Sequence, residues 1–296
     1  MHALSVQSWS AENESRALSF LKFHYATSMF LLGNFADQGA KLSQHPNSGN
    51  FKVIEQSSDD RVSAKDEVLG VFSLTRRGIL LVTVNTANTK STDMISLIVK
   101  TVLEENISIR GVIGEYEIAS LIWDYLKSNQ IVLSTSFQSK EILYSLNSLQ
   151  DVQADAQVRF LCVDDFGQWL PMCLAYLKEE GLKNDLSEQT MKDSFIEGCA
   201  ERKHWGLFSE QGRLISIAAL NARAFDVGQV GGVYTLPEFR RQGVSRRTMR
   251  QMLTDCLKEL RLSKMILFTG EKNDAAQKVY EGLRFQRIGH FGMFFS

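Results

Sequence analysis

Proline is scarce in this chain, with three in 296 residues, and no low-complexity tract stands out. Only four cysteines occur: Cys162, Cys173, Cys199 and Cys256. They are far apart and form no Cys-x-x-Cys pair, so they read as core thiols in a reduced, cytoplasmic compartment rather than as a disulfide framework. The five histidines include no pair at metal-ligand spacing, and no metal is expected. The formal net charge is −1, so no global basic field recruits nucleic acid. No apolar run approaches the roughly 20 residues needed to span a bilayer. Glu12, Glu14 and Arg16 precede the first apolar run, which argues against a signal peptide.

What is present is the composition of a globular protein, with 44% apolar and 23% charged residues. The length suits one large domain or two ordinary ones. Ser10 reads as an N-cap, followed by a largely apolar helix from Leu18 to about Gly33. Strands are expected near 51–55, 68–74 and 79–84, then a helix at 92–105, a strand at 108–113 and a helix at 115–127. Segments 130–133 and 141–146 read as closing strands. The polar run Gln150–Gln157 reads as a linker, giving domains at 1–150 and 151–296. The second half repeats the order. A strand at 158–163 leads to helices at 169–180 and 187–202, the latter with Ser187 as N-cap. A hairpin at 205–209 and 214–221, a long strand at 228–235 and a helix from Val244 to about Leu260 follow. A strand at 264–269, a helix at 273–282 and closing strands at 285–289 and 292–295 end the chain. The fold class is therefore α/β (α+β), each half a mixed, mostly antiparallel sheet flanked by helices.

The halves also align without gaps over Gly70–Asn85 and Gly206–Asn221, with six identities in sixteen positions. This predicts a duplicated fold. A second, weaker match sets Gly114, Glu115 and Ala119 against Gly270, Glu271 and Ala275. By that count Glu117 stands where Asn273 does, and Asp124 where Tyr280 does.

The most informative stretch is Gly231–Arg247. A strand ends near Pro237, and a loop with Gly243 opens a helix. A helix start offers free backbone N–H groups and partial positive charge to an anion. Gly243 lets a phosphate approach the backbone. Arg240, Arg241, Arg246 and Arg247 add full charges. Some thirty residues on, Asn273 and Tyr280 stand seven apart, two helical turns, on one side of the next helix.

Arg240, Gly243 and Ser245 resemble the acyl-CoA loop of the GCN5-related N-acetyltransferase (GNAT) family, Gln/Arg-x-x-Gly-x-Gly/Ala. Ser245 stands where that family has Gly or Ala. Asn273, Ala276, Tyr280 and Phe285 resemble its second signature, Asn-x-x-Ala-x-x-x-Tyr-x-x-x-Gly-Phe, with one residue inserted before Phe285. The resemblance is good over about 158–296 and architectural before that. It implies two tandem GNAT-like domains. The first is a degenerate copy whose Asn85–Thr92 has no glycine and only one base. It would give support and one wall of the acceptor site.

The same resemblance implies an acetyl-CoA-dependent N-acetyltransferase, with acetyl-CoA as co-substrate. Val233, Tyr234 and Thr235 would bind the pantetheine arm through their backbone. Arg240, Arg241, Gln242, Gly243, Val244, Ser245 and Arg246 would form the pyrophosphate loop. Asn273 would contact the arm, and Tyr280 would be the general acid. The general base has no obvious holder. Gln229 occupies the usual carboxylate position, and Asp226 nearby points to the other face by alternation. The acceptor is a small-molecule, peptide or protein amine, met by a monomer or homodimer. The alternatives are a non-catalytic acyl-CoA sensor and a Fem-type aminoacyl transferase, which needs no pyrophosphate loop.

Overall fold

The computed structural model describes residues 4–56, 67–85, 91–148, 154–181, 184 and 186–296. They form two compact units. One takes the chain up to Leu143 together with Phe268–Lys272 and Arg287–Ser296; the other takes Tyr144–Leu267 and Asn273–Gln286.

The first unit opens with strand β1 (Leu4–Ser8), which pairs antiparallel with β2 (Gly49–Gln56). Between them lie α1 (Glu14–Phe23) and α2 (Tyr25–Gln38). One helix ending at Gly33 was expected, so the break at His24 and the extension to Gln38 are corrections. The apolar run hides the break because both segments are apolar. Ala17 and Leu21 are buried on α1, and Met29, Leu31 and Leu32 on α2. The Leu21 carbonyl at the break is satisfied by Ser28 Oγ at 2.6 Å. The residue before α1 is Asn13, not Ser10, and its Oδ1 accepts the Ser10 N–H at 2.9 Å.

Strands β3 (Glu67–Thr75) and β4 (Ile79–Val84) form an antiparallel hairpin. Helix α3 (Ser91–Leu103) then crosses over to β5 (Gly111–Glu115), which runs parallel to β4. All six residues of β4 are buried, as expected for a strand covered on both faces. Helix α4 (Tyr116–Ser128) follows, and β6 (Phe137–Leu146) starts in this unit. The expected strand at 130–133 is a turn.

The second unit holds β7 (Val158–Phe160), α5 (Phe166–Glu179), α6 (Glu188–Ala200), β8 (His204–Phe208), β9 (Leu214–Ala224) and β10 (Val227–Thr235). Helix α7 (Val244–Lys258) crosses over to β11 (Lys264–Gly270), and α8 (Asp274–Gly282) follows. Ser187 caps α6 as expected, accepting the Thr190 N–H at 3.1 Å. The sheet order is β11-β10-β9-β8-β7, with only β10 and β11 parallel. Helices α5 and α6 cover one face through Trp169, Met172, Met191 and Phe195 against Ile217 and Tyr234. Helix α7 packs against β8, β9 and β10.

The final strand β12 (Gln286–Phe295) is continuous, where two short strands were expected. It pairs antiparallel with β5, Phe291–Phe295 opposite Glu115–Gly111, and so belongs to the first unit. Phe294 explains this placement, since it stacks on Trp123 at 6.0 Å in the first unit's core. The units therefore do not follow the linear division after residue 150. The order in the first unit is β1-β2-β3-β4-β5-β12-β6.

Topology also corrects the repeat. In each unit, the strand that precedes the crossover helix and runs parallel to the next strand is the fixed point: β4 in one, β10 in the other. The gapless match instead set β3–β4 on β8–β9, one strand out of register. Alternating apolar positions and a polar turn recur in any antiparallel hairpin, so the identities favoured the wrong pair. Residues 150–153 of the linker and 86–90 of the loop Asn85–Thr92 lie outside the described residues. Among the described residues no helix is long and apolar enough to cross a membrane.

In the second unit, buried Trp205 on β8 donates its indole N–H to Asp255 of α7 at 2.8 Å, and Gln251 donates to the same carboxylate at 2.7 Å. Asp255→Ala strands both donors. It is expected to lower the unfolding free energy by about 1–3 kcal/mol, read as a lower urea midpoint.

Candidate functional site

The site is built on β10. Its parallel register with β11 covers Val227–Gln229 opposite Lys264–Ile266 and goes no further. From Val230 to Thr235 the strand's register is with β9 alone, leaving the opposite edge of the backbone available to an extended ligand. Two irregularities shape this stretch, one between Gln229 and Val230 and one between Gly231 and Tyr234. Gly232 takes φ +57° within the second, a conformation natural to glycine.

After β10 the chain makes a 3-10 turn at Pro237–Phe239. Arg241 (φ +60°) and Gly243 (φ +75°) then adopt left-handed conformations that turn the backbone into α7. A Cβ at Gly243 would meet nothing within 4 Å, so the approach to the helix start is open. The helix's backbone bonding begins with Arg247 N–H to the Gly243 carbonyl at 3.1 Å. The N–H groups of Val244, Ser245 and Arg246 precede it, at the positive end of the helix dipole.

Three of the four arginines bond to neighbouring elements. Arg240 donates to both oxygens of Glu179 at 2.8 and 3.0 Å and to the Thr235 carbonyl at 2.9 Å, and lies over the Tyr234 ring. Arg246 donates to the Gly282 carbonyl at 2.8 Å, and Arg247 forks onto Asp155 at 2.7 and 2.9 Å. These three guanidiniums hold the loop to α5, α8 and the start of β7. Arg241 and Gln242 are exposed on the loop, and the Gln242 amide donates to the Glu238 carbonyl at 3.0 Å.

Asn273 is the N-cap of α8, its Oδ1 accepting the Ala276 N–H at 3.2 Å. Its side-chain oxygen therefore serves the helix, leaving the NH2 as the group with donors to offer. Tyr280 is 8% exposed, with Tyr144 and Phe285 edge-on at 6.0 and 6.2 Å. Asp226 lies in the turn before β10, where Ser263 Oγ bonds its carboxylate. Gln229 lies within β10 and is buried.

Residues 169–285 match the model of the acetyltransferase (GNAT) family. The chain contains a GNAT-family domain. The whole chain resembles solved structures at low identity, which establishes the fold. A Drosophila protein is 13% identical with TM-score 0.66, covering 98% of each chain. A GCN5-related N-acetyltransferase from Sphaerobacter thermophilus is 8% identical with TM-score 0.58, over 98% of this chain and 94% of that one. A tandem GNAT protein from the clavulanic acid biosynthesis pathway is 10% identical with TM-score 0.52, over 99% and 98%. No curated protein matches this sequence.

Within the GNAT domain, burial pushes the Tyr280 phenol well above its ordinary value, with further contributions from Tyr176, Glu180 and Tyr144. Burial also raises the Glu180 carboxyl, with the adjacent Glu179 adding to it. Sequence reading missed Tyr144, Tyr176 and Glu180 as neighbours of Tyr280. The acidic pair closing α5 was the only local signal. Arg247 holds the Asp155 carboxyl below the usual range. A carboxylate whose pKa is depressed on folding stabilises above its unfolded value and loses that contribution as pH falls through the folded one. The stability difference between the native protein and Asp155→Asn is therefore expected to be constant above about pH 5 and to shrink below about pH 4. Urea titrations at stepped pH measure it; a gap that widens on acidification refutes the assignment.

Proposed function

We propose that this protein is an acyl-CoA-dependent N-acyltransferase, with acetyl-CoA as donor and a primary amine of a small molecule or peptide as acceptor. The observation that carries the reading is a strand edge left open from Val230 onward, leading directly into a helix start whose approach is clear at Gly243. A pantetheine arm is an amide-bearing chain and a pyrophosphate is a dianion; an open strand edge and a helix N-terminus are complementary to them in that order. The residues present fit the group.

Bound there, the donor supplies a thioester, an electrophilic carbonyl with a sulfur leaving group. Val233, Tyr234 and Thr235 hold the arm through their backbone, and N–H groups of the same edge stabilise charge on the carbonyl oxygen. The N–H groups of Arg241 to Arg246 receive the phosphates, while Arg240 fixes the loop through Glu179. Asn273 reaches the arm with its NH2. Tyr280 stays protonated at neutral pH because burial raises its pKa, and so has a proton to give to the departing sulfur.

Thermal-shift measurements with CoA and acetyl-CoA, followed by thiol release with a panel of amines, test the reading. Stabilisation by both and release with at least one amine are expected; no stabilisation by either sinks it. Stabilisation without turnover on any amine identifies a sensor instead. Tyr280→Phe is expected to lower kcat by about 10²–10⁴-fold with little change in CoA affinity. Equal loss of both assigns Tyr280 a structural role.

A further inference from the structure

One polar atom beside the open edge is left over. Gln229 is 1% exposed, and its Oε1 is buried with no hydrogen-bond partner among the described residues. An interior carbonyl without a donor is unfavourable, and an N–H brought to it by a ligand would remove that cost.

The strand fixes where this atom faces. From Gln229 to Gly231 β10 is regular, because the extra residue of the first bulge is Asn221 on β9. Gln229 and Gly231 therefore share a face. Gly231 pairs with Ala219, and Tyr234 with Ile217; the latter two pack with α5, so this is the α5 face. A side chain at Gly231 would collide with the Asn221 amide, 1.9 Å from its Cβ. Two side-chain amides thus flank the point where the open edge begins.

An amide oxygen accepts an N–H but does not take its proton near neutral pH. The cross-strand neighbours of Gln229 are Ala222 and Ile266, which do not either. Other groups on this face are engaged or shifted. Glu179 holds Arg240 and accepts the Tyr234 O–H. His204, in the row His204–Ala219–Gly231, is pushed down to about 4 by burial. Burial pushes Cys173 and Cys199 up to about 11. Tyr176 and Glu180, at the end of α5, act on Tyr280 instead.

We propose that Gln229 Oε1 receives an N–H of the acceptor amine, and that the site thereby selects amines that give up their proton readily near pH 7, such as peptide α-amines, over lysine-type ε-amines. The inference rests on the acyl-transfer reading. In the step, the C–N bond forms as the C–S bond breaks. The sulfur takes the Tyr280 proton, the nitrogen releases one to solvent, and the phenol is refilled from solvent. A peptide α-amine titrates near about 8 and a lysine near about 10.4, so their neutral fractions at pH 7 differ by roughly 200-fold.

Calorimetry of the full chain in two buffers of different ionisation enthalpy, with and without CoA, counts protons exchanged on binding. The probes are alanyl-alanine amide and Nα-acetyl-lysine methylamide. At pH 7 the dipeptide is expected to release close to one proton per molecule bound and to bind at least tenfold more tightly than the blocked lysine. Gln229→Glu is expected to abolish the release and to favour the blocked lysine at least tenfold. Dipeptide binding without proton release, equal affinity for both probes, or no binding of either overturns the proposal. If the glutamate variant does not fold, Gln229→Met serves: at least tenfold weaker dipeptide binding is expected, and unchanged affinity overturns the proposal. Failure of CoA to stabilise the protein sinks the acyl-transfer reading separately, because the CoA-free titration still reports on Gln229.

Discussion

The parallel pairing of β10 with β11 lasts three residues, and the candidate site depends on where it stops. A strand buried between two neighbours spends all of its backbone groups on the sheet. Strand β10 does so only to Gln229; beyond that point one edge is unspent. The bulges on the β9 side add twist and carry the chain into the turn at Pro237. The open edge, the helix start and the buried glutamine follow from the same geometric event.

Around that edge, charge is used for construction. Arg240, Arg246 and Arg247 anchor the loop to Glu179, the Gly282 carbonyl and Asp155. Each contact is partly exposed and worth little alone. Together they pin three sides of a short loop, so that its N–H groups are held in place at the start of α7. A fixed array of N–H donors pays no ordering cost on binding, whereas free arginine side chains would.

The sequence made most of the architecture legible, because amphipathic period and turn residues are local. Strand β4, helix α7 and the Ser187 cap stand where expected. What it misplaced depended on partners. The helix break at His24 is hidden in an apolar run, and β12 finds its mate in β5, far away in the chain. The repeat slipped by one strand because a hairpin carries little register information of its own.

The sequence by itself determined the family signatures: Arg240, Gly243 and Ser245 before a helix, then Asn273, Ala276 and Tyr280. These are short-range patterns, and backbone geometry enforces their spacing wherever they fold. The tertiary structure alone decided which arginines face the protein, that Tyr144, Tyr176 and Glu180 surround Tyr280, and that the Gln229 oxygen is buried without a partner. Burial and electrostatic environment are sums over residues distant in the chain, and no local pattern encodes them.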